Sequence, residues 1–158
     1  DIFKTIHEKD PDTVLVLVGG GEKDDALKNQ IKEKTDRLGL TGYVKFLGVR
    51  EDVERIMQSF DVFLLPSLFE GLPVTIIEAQ AAGLPCVISD KVPIQCDITG
   101  NVDVVALNDS TEKWAEVVLD KAYNFTKSDT YNKIADAGFD VKKQAKWLEN
   151  FYKEALIK

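Results

Sequence analysis

Short runs of consecutive apolar residues alternate along the chain with stretches where apolar positions recur every three or four residues. Ile2, Phe3 and Ile6 share one face of a short helix that stops at Asp10-Pro11. Val14 to Val18 is an unbroken β-branched and leucine run, which predicts a strand buried on both faces, and Gly19-Gly20-Gly21 ends it sharply. A helix follows with Leu27, Ile31 and Leu38 on its apolar stripe and Gly39 near its end. Tyr43 to Leu47 reads as a second strand, and Val53, Ile56, Met57 and Phe60 repeat at helical spacing.

The alternation continues in the second half. Val62 to Leu65 predicts a third strand, stopped by Pro66-Ser67, and a helix is expected from about Val74 to Ala82, closed by Gly83. Pro85 to Ile88 and Val102 to Leu107 read as the fourth and fifth strands. Trp114 to Tyr123 is a helix with Asp109 or Ser110 as its N-cap. The segment near Thr130 to Ala137 is also read as helical. So is the tail from Asp140 to Ile157, with Val141, Leu148, Phe151, Tyr152 and Ala155 available for packing.

Strands alternating with helices imply β-α crossovers and a parallel sheet covered on both faces. The reading is an α/β, Rossmann-like doubly wound sheet in a single domain over residues 1–158. Because the pattern opens on a helix, a strand ahead of it is expected to be lacking here. In open α/β sheets ligands bind beyond the carboxyl ends of the strands, so the loops after Val18, Leu47, Leu65 and Ile88 are the ones to inspect.

Composition narrows the function. The 158 residues suit one domain with a proper core. A net charge of −7, from 20 basic and 27 acidic residues, argues against gripping nucleic acid through bulk charge. The two cysteines, Cys86 and Cys96, form neither a disulfide framework nor a zinc motif, and Cys86 in its apolar run reads as a buried thiol. No signal peptide or bilayer-length apolar stretch is visible, which makes the cytoplasm the expected compartment and the glycosylation patterns at Asn108 and Asn124 chance matches. His7 reads as a surface residue, Trp114 and Trp147 as packing residues, and Lys32, Lys34 and Arg37 as a solvated helix face.

Two stretches could carry chemistry. Gly19-Gly20-Gly21 sits between a strand and a helix, where backbone amides can cradle a phosphate or simply make a tight turn. It is not a dinucleotide fingerprint, because Asp24 stands where the third glycine would be, and it is not a P-loop. The second stretch runs from Pro66 to Ala79 and places Glu70 in a strand-end loop and Glu78 within an almost wholly apolar helix. A buried carboxylate needs a partner. Two hydroxyls of a ribose diol would serve, and so would a neighbouring lysine or arginine. The helix start adds free N–H groups from Gly71, Leu72, Val74 and Thr75, with none from Pro73, facing a position suited to a diphosphate.

The combination Pro66-Ser67, Glu70-Gly71, Glu78-Ala79-Gln80-Ala81-Ala82-Gly83-Leu84-Pro85 resembles the Glu-x7-Glu region of the family-4 (group 1) retaining glycosyltransferases of the GT-B fold, in their C-terminal domain. The likeness extends to Val18-Gly19-Gly20-Gly21, to Phe46-Leu47-Gly48-Val49-Arg50 and to the closing helix through Phe151-Tyr152. Where the family often has E-G-F-G, this chain has Glu70-Gly71-Leu72-Pro73.

The resemblance implies the donor-binding half of a GT-B enzyme that moves a sugar from a nucleotide-diphospho-sugar, a UDP-sugar by preference, to a saccharide or lipid-linked acceptor with retention. It implies Glu70 as the catalytic residue facing the transferred sugar and Glu78 on the ribose. Gly71, Leu72, Val74 and Thr75 would offer amides to sugar and diphosphate, Val49 and Arg50 would lie against the base, and Gly20 joins the donor-binding set. No metal and no further cofactor are implied. The acceptor would be held by an N-terminal domain lying outside this sequence, and the longer enzyme is expected in the cytoplasm at the inner face of the membrane; the chain alone is expected to be inactive. A GT-B-fold nucleotide-sugar epimerase is the rival enzyme, and a non-catalytic flavodoxin-like binding or regulatory domain is the rival outside catalysis.

Overall fold

Among the described residues, alternating apolar runs and helical repeats produce five strands in parallel pairings, with helices between them. The computed structural model describes residues 1–20 and 25–156. In chain order the elements are α1 (Ile2–Lys9), β1 (Leu15–Val18), α2 (Asp25–Arg37), β2 (Val44–Gly48), α3 (Val53–Met57), β3 (Phe63–Leu65) and α4 (Val74–Ala81). They continue with β4 (Cys86–Ser89), a 3-10 turn (Ile94–Cys96), β5 (Val102–Val105), α5 (Thr111–Asn124), α6 (Tyr131–Ile134), a π turn (Ala135–Phe139) and α7 (Val141–Ala155). Ser110 caps α5, its side chain accepting from the Lys113 N–H. No helix among the described residues is long and apolar enough to cross a membrane.

The strands form two parallel sheets, β1-β2 and β3-β4-β5. β4 is buried along its whole length, and its alternation divides the core. Val87 joins Phe3, Ile6, Val44, Val105, Trp114 and Val118 beneath α1 and α5. Cys86 and Ile88 join Met57, Ile76, Ala79 and Leu84 beneath α3 and α4. Burial pushes the Cys86 thiol up to about 12, as befits a small core residue. Leu15 and Leu17 of β1, Phe46 of β2 and Leu64 of β3 pack on the α1–α5 cluster, so both sheets lie under the same helices.

Several sequence expectations are corrected. β1 is only half-buried, not covered on both faces: Leu15 and Leu17 meet the core, whereas Val16 and Val18 belong to neither cluster. Leu27 and Ile31 of the α2 stripe are open to solvent, with Leu27 56% exposed, whereas Leu38, just past the helix end, packs on the α1–α5 cluster; the buried residue of α2 is Thr35, whose hydroxyl donates to the Ile31 carbonyl. The apolar residues of α7 are likewise exposed. Among the described residues Val141, Leu148, Phe151 and Tyr152 join neither core cluster, and Trp147, 61% exposed, stacks on Phe151 rather than on a core. His7 is half-buried, its ring 3.9 Å from that of Tyr43.

One buried polar side chain ties the lower parts together. Gln80 of α4 is 0% exposed. Its amide nitrogen donates to the carbonyls of Cys96 (2.7 Å) and Ile76 (3.2 Å). Its oxygen accepts from the N–H groups of Ile98 and Thr99 and from the Thr99 hydroxyl, at 2.9, 3.0 and 2.9 Å. The Gln80 carbonyl in turn accepts from Thr130 Oγ1 at 2.7 Å, which docks the start of α6. Gly83 closes α4 at φ +75°, where a Cβ would stand 2.9 Å from the Ser128 carbonyl oxygen, so only glycine fits that turn.

Candidate functional site

The loops leaving the carboxyl ends of the strands fall into two groups. In the first, Gly19 and Gly20 turn at φ +120° and +118°, and the Gly19 N–H donates to the Gly48 carbonyl at 2.8 Å. That bond puts the glycine turn beside the residues that follow β2, Val49 and Arg50. Gly21 and Asp24, the other positions weighed for phosphate binding, lie outside the described residues. Val49 is 73% exposed, and Arg50 is held in a fork by Asp52.

The second group follows β3. Ser67 Oγ donates to Glu70 Oε1 at 2.7 Å, and the Ser67 carbonyl accepts from the hydroxyl of Ser89 at the end of β4. Glu70 is therefore half-buried and fixed to a rigid strand end rather than left on a free loop. The turn through Gly71 and Leu72 enters α4 at Pro73, which is buried and offers no N–H. The Ile76 N–H closes on the Pro73 carbonyl. The N–H groups of Gly71, Leu72, Val74 and Thr75 have no backbone partner among the described residues, which leaves them as donors at the positive end of the helix.

Glu78 is not the buried carboxylate that its apolar neighbours predict. It is exposed. In α4 the buried positions are Ile76, Ile77, Ala79 and Gln80, and the open face carries Val74, Thr75, Glu78 and Ala81. These recur at i, i+1, i+4 and i+7, one stripe of a helix. Hydropathy hides it, because the exposed face is nearly as apolar or small as the buried one. Among the described residues the Glu78 carboxylate makes no hydrogen bond or ion pair, so the salt-bridge alternative finds no support there. The buried polar residue of this helix is Gln80, two positions on, which a reading for charged groups passes over.

Among the described residues no hydrogen bond joins the two groups of loops, and no cluster of three or more His, Cys, Asp or Glu is placed to hold a metal ion. A surface depression between α1 and α5 is lined by Lys9, Ser110, Glu112, Lys113, Glu116 and Leu119, and by none of the residues of these two groups of loops.

A sequence profile of the family described as glycosyl transferases group 1 matches residues 1–122. The protein EpsF of Bacillus subtilis (strain 168) is 38% identical over 141 residues, covering 87% of this chain and 36% of that protein. The UDP-Gal:alpha-D-GlcNAc-diphosphoundecaprenol alpha-1,3-galactosyltransferase of Escherichia coli is 35% identical over 154 residues, covering 93% of this chain and 38% of that protein. The chain thus spans well under half the length of either relative. The crystal structure of Anabaena Alr3699/HepE in complex with UDP-glucose aligns with a TM-score of 0.74 over 97% of this chain and 44% of that one, at 24% identity. That likeness shows the fold, a Rossmann-like half of the GT-B architecture.

Proposed function

The chain belongs to the glycosyl transferases group 1 family, and from that premise we propose that it is the donor half of an enzyme that moves a sugar from a nucleotide-diphospho-sugar to a saccharide or lipid-linked acceptor. The observation that carries this reading is the open face of α4. A helix N-terminus whose N–H groups have no partner among the described residues, a carboxylate one turn further along the open face of the helix and a second carboxylate fixed in the preceding loop all follow one strand end. A nucleoside diphosphate matches it part by part. The diphosphate meets the N–H groups of Gly71, Leu72, Val74 and Thr75, the ribose diol donates to Glu78, and the transferred sugar lies against Glu70. Val49 and Gly20 border the base and the phosphates from the neighbouring loops. The HepE complex with UDP-glucose and the galactosyltransferase name of the Escherichia coli relative support a UDP-sugar as donor.

In this mechanism the bond from the anomeric carbon to the diphosphate oxygen breaks as the acceptor oxygen bonds to the same carbon on the same face. The acceptor proton passes to the departing diphosphate. Amides at the α4 N-terminus stabilise the charge on that leaving group without a metal ion. Nucleotide titration of the full-length enzyme tests the ribose assignment. A hydrogen bond to a charged group is worth ~1.5–3 kcal/mol, so Glu78→Gln is expected to weaken UDP binding roughly 10- to 150-fold, with and without chelator. Because Glu78 is exposed, the variant keeps its melting temperature. Unchanged affinity would remove the ribose from this face, and chelator-abolished binding would point to a metal-held phosphate.

The acceptor site is assigned to a part of the longer polypeptide outside these residues. The two sheets support the same division. The Leu15 and Gly19 N–H groups point to β2 and the Phe63 N–H to β4, so those of Val16, Val18 and Leu64 point the other way, from edges with no strand partner among the described residues. With right-handed crossovers, the strand feeding α1 belongs on the side of β1 away from β2, between β1 and β3. Amide exchange at Val16 and Leu64 is expected to slow by on the order of 100-fold in the full-length enzyme relative to the 158-residue chain. Equal exchange in the two would leave that slot empty.

A further inference from the structure

Asp52 stands at the N-cap of α3, where an aspartate ordinarily accepts a bond from a first-turn N–H, yet its side chain caps nothing. Both of its oxygens are turned back on Arg50: Nε donates to Oδ1 at 2.8 Å and Nη2 to Oδ2 at 2.9 Å. The Arg55 and Ile56 N–H groups use the Asp52 backbone carbonyl instead. Arg50 holds the Asp52 carboxyl below its usual range, and Asp52 holds the guanidinium more firmly protonated. The fork consumes the Nε–Nη2 edge, the edge that would otherwise clamp a phosphate in two-point contact, and it places a compensating charge beside the cation. What stays open is the Nη1 edge and the flat face of the guanidinium, on a side chain about half exposed, next to exposed Val49 and to the glycine turn held by Gly48.

We propose that Asp52 is a positioning residue that makes Arg50 a reader of the nucleobase and withholds it from the diphosphate. The free Nη1 edge donates to a carbonyl oxygen of the base, and the guanidinium plane lies along the ring beside Val49. The diphosphate charge is met by the α4 amides. This inference rests on the nucleotide reading of the site, and it adds a division of labour between two loops and a residue, Asp52, that touches no ligand itself.

Titrations of the purified chain with uridine, UDP and inorganic pyrophosphate, with the adenosine and guanosine counterparts in parallel, test it. Asp52→Asn keeps a side chain able to cap α3, so the helix start is preserved. It is expected to weaken uridine and UDP by the same factor, about 3- to 10-fold, and to leave pyrophosphate unchanged. Arg50→Lys, which keeps the charge and loses the plane, should give the same pattern, and Asp52→Glu should restore part of the loss. Tighter binding of UDP and pyrophosphate to Asp52→Asn would overturn the proposal by making Arg50 a phosphate ligand masked by Asp52. Unchanged affinities throughout would reduce the fork to a surface ion pair. Should the wild-type chain bind pyrophosphate and none of the nucleosides, the base assignment falls while the phosphate site stands. If it binds none of the probes, the nucleotide reading fails first, and this inference with it.

Discussion

Replacing Glu70 by glutamine is expected to lower kcat of the full-length enzyme by roughly 100- to 1,000-fold, the scale of removing one preorganised electrostatic contact at a reacting centre. UDP affinity should stay within about twofold, because in the proposed site the nucleotide keeps Glu78 and the α4 amides. Ser67 Oγ bonds Glu70 Oε1 at 2.7 Å, and the Ser67 carbonyl is pinned by Ser89, so the carboxylate is held before substrate arrives. A charge fixed in this way need not reorganise as positive charge grows at the anomeric carbon. Glutamine preserves the shape and the bond from Ser67 and removes only the charge. Steady-state kinetics with donor and acceptor, beside direct UDP titration, separate the two effects. Equal loss of kcat and UDP affinity would merge the roles assigned to Glu70 and Glu78.

Gln80→Ala is expected to destabilise the chain by about 3–5 kcal/mol, read as a fall in the urea midpoint at unchanged slope. The substitution strands the Ile98 and Thr99 N–H groups, the Thr99 hydroxyl and the Cys96 carbonyl in a largely buried site. It also leaves a cavity the size of the missing side chain. Gln80→Met separates these causes, since it fills most of the volume and makes none of the bonds. A methionine variant nearly as unstable as alanine would assign the loss to hydrogen bonding. One within about 1 kcal/mol of wild type would assign it to packing and remove the polar hub from the account.

These two residues mark where the sequence speaks clearly and where it is mute. The place of Glu70 in a strand-end loop was legible because Pro66-Ser67 stops the strand and a helical pattern begins a few residues later. Gln80 was not. An uncharged amide amid alanines carries no hydropathy signal, and its partners outside its own helix lie 16 to 19 positions away in a segment with no regular pattern. Glu78 failed differently: its position in the motif was recognised, but its burial was misjudged from the apolar company it keeps.

By itself the sequence determined the order and type of the elements, the parallel pairing they imply, and the loop and helix that carry the two glutamates. Those are local matters. Hydrophobic period sets helix against strand, and glycine and proline end each element through their own backbone limits. Only the tertiary structure decided which faces are covered. Leu27 and Ile31 of α2 and the apolar residues of α7 have the periodicity of buried stripes and stand exposed. Val16 and Val18 fail to find a second layer. Periodicity states that a face can be buried. Whether anything lies against it depends on contacts between segments far apart in the chain, and those same contacts turn Glu78 outward and close Gln80 within.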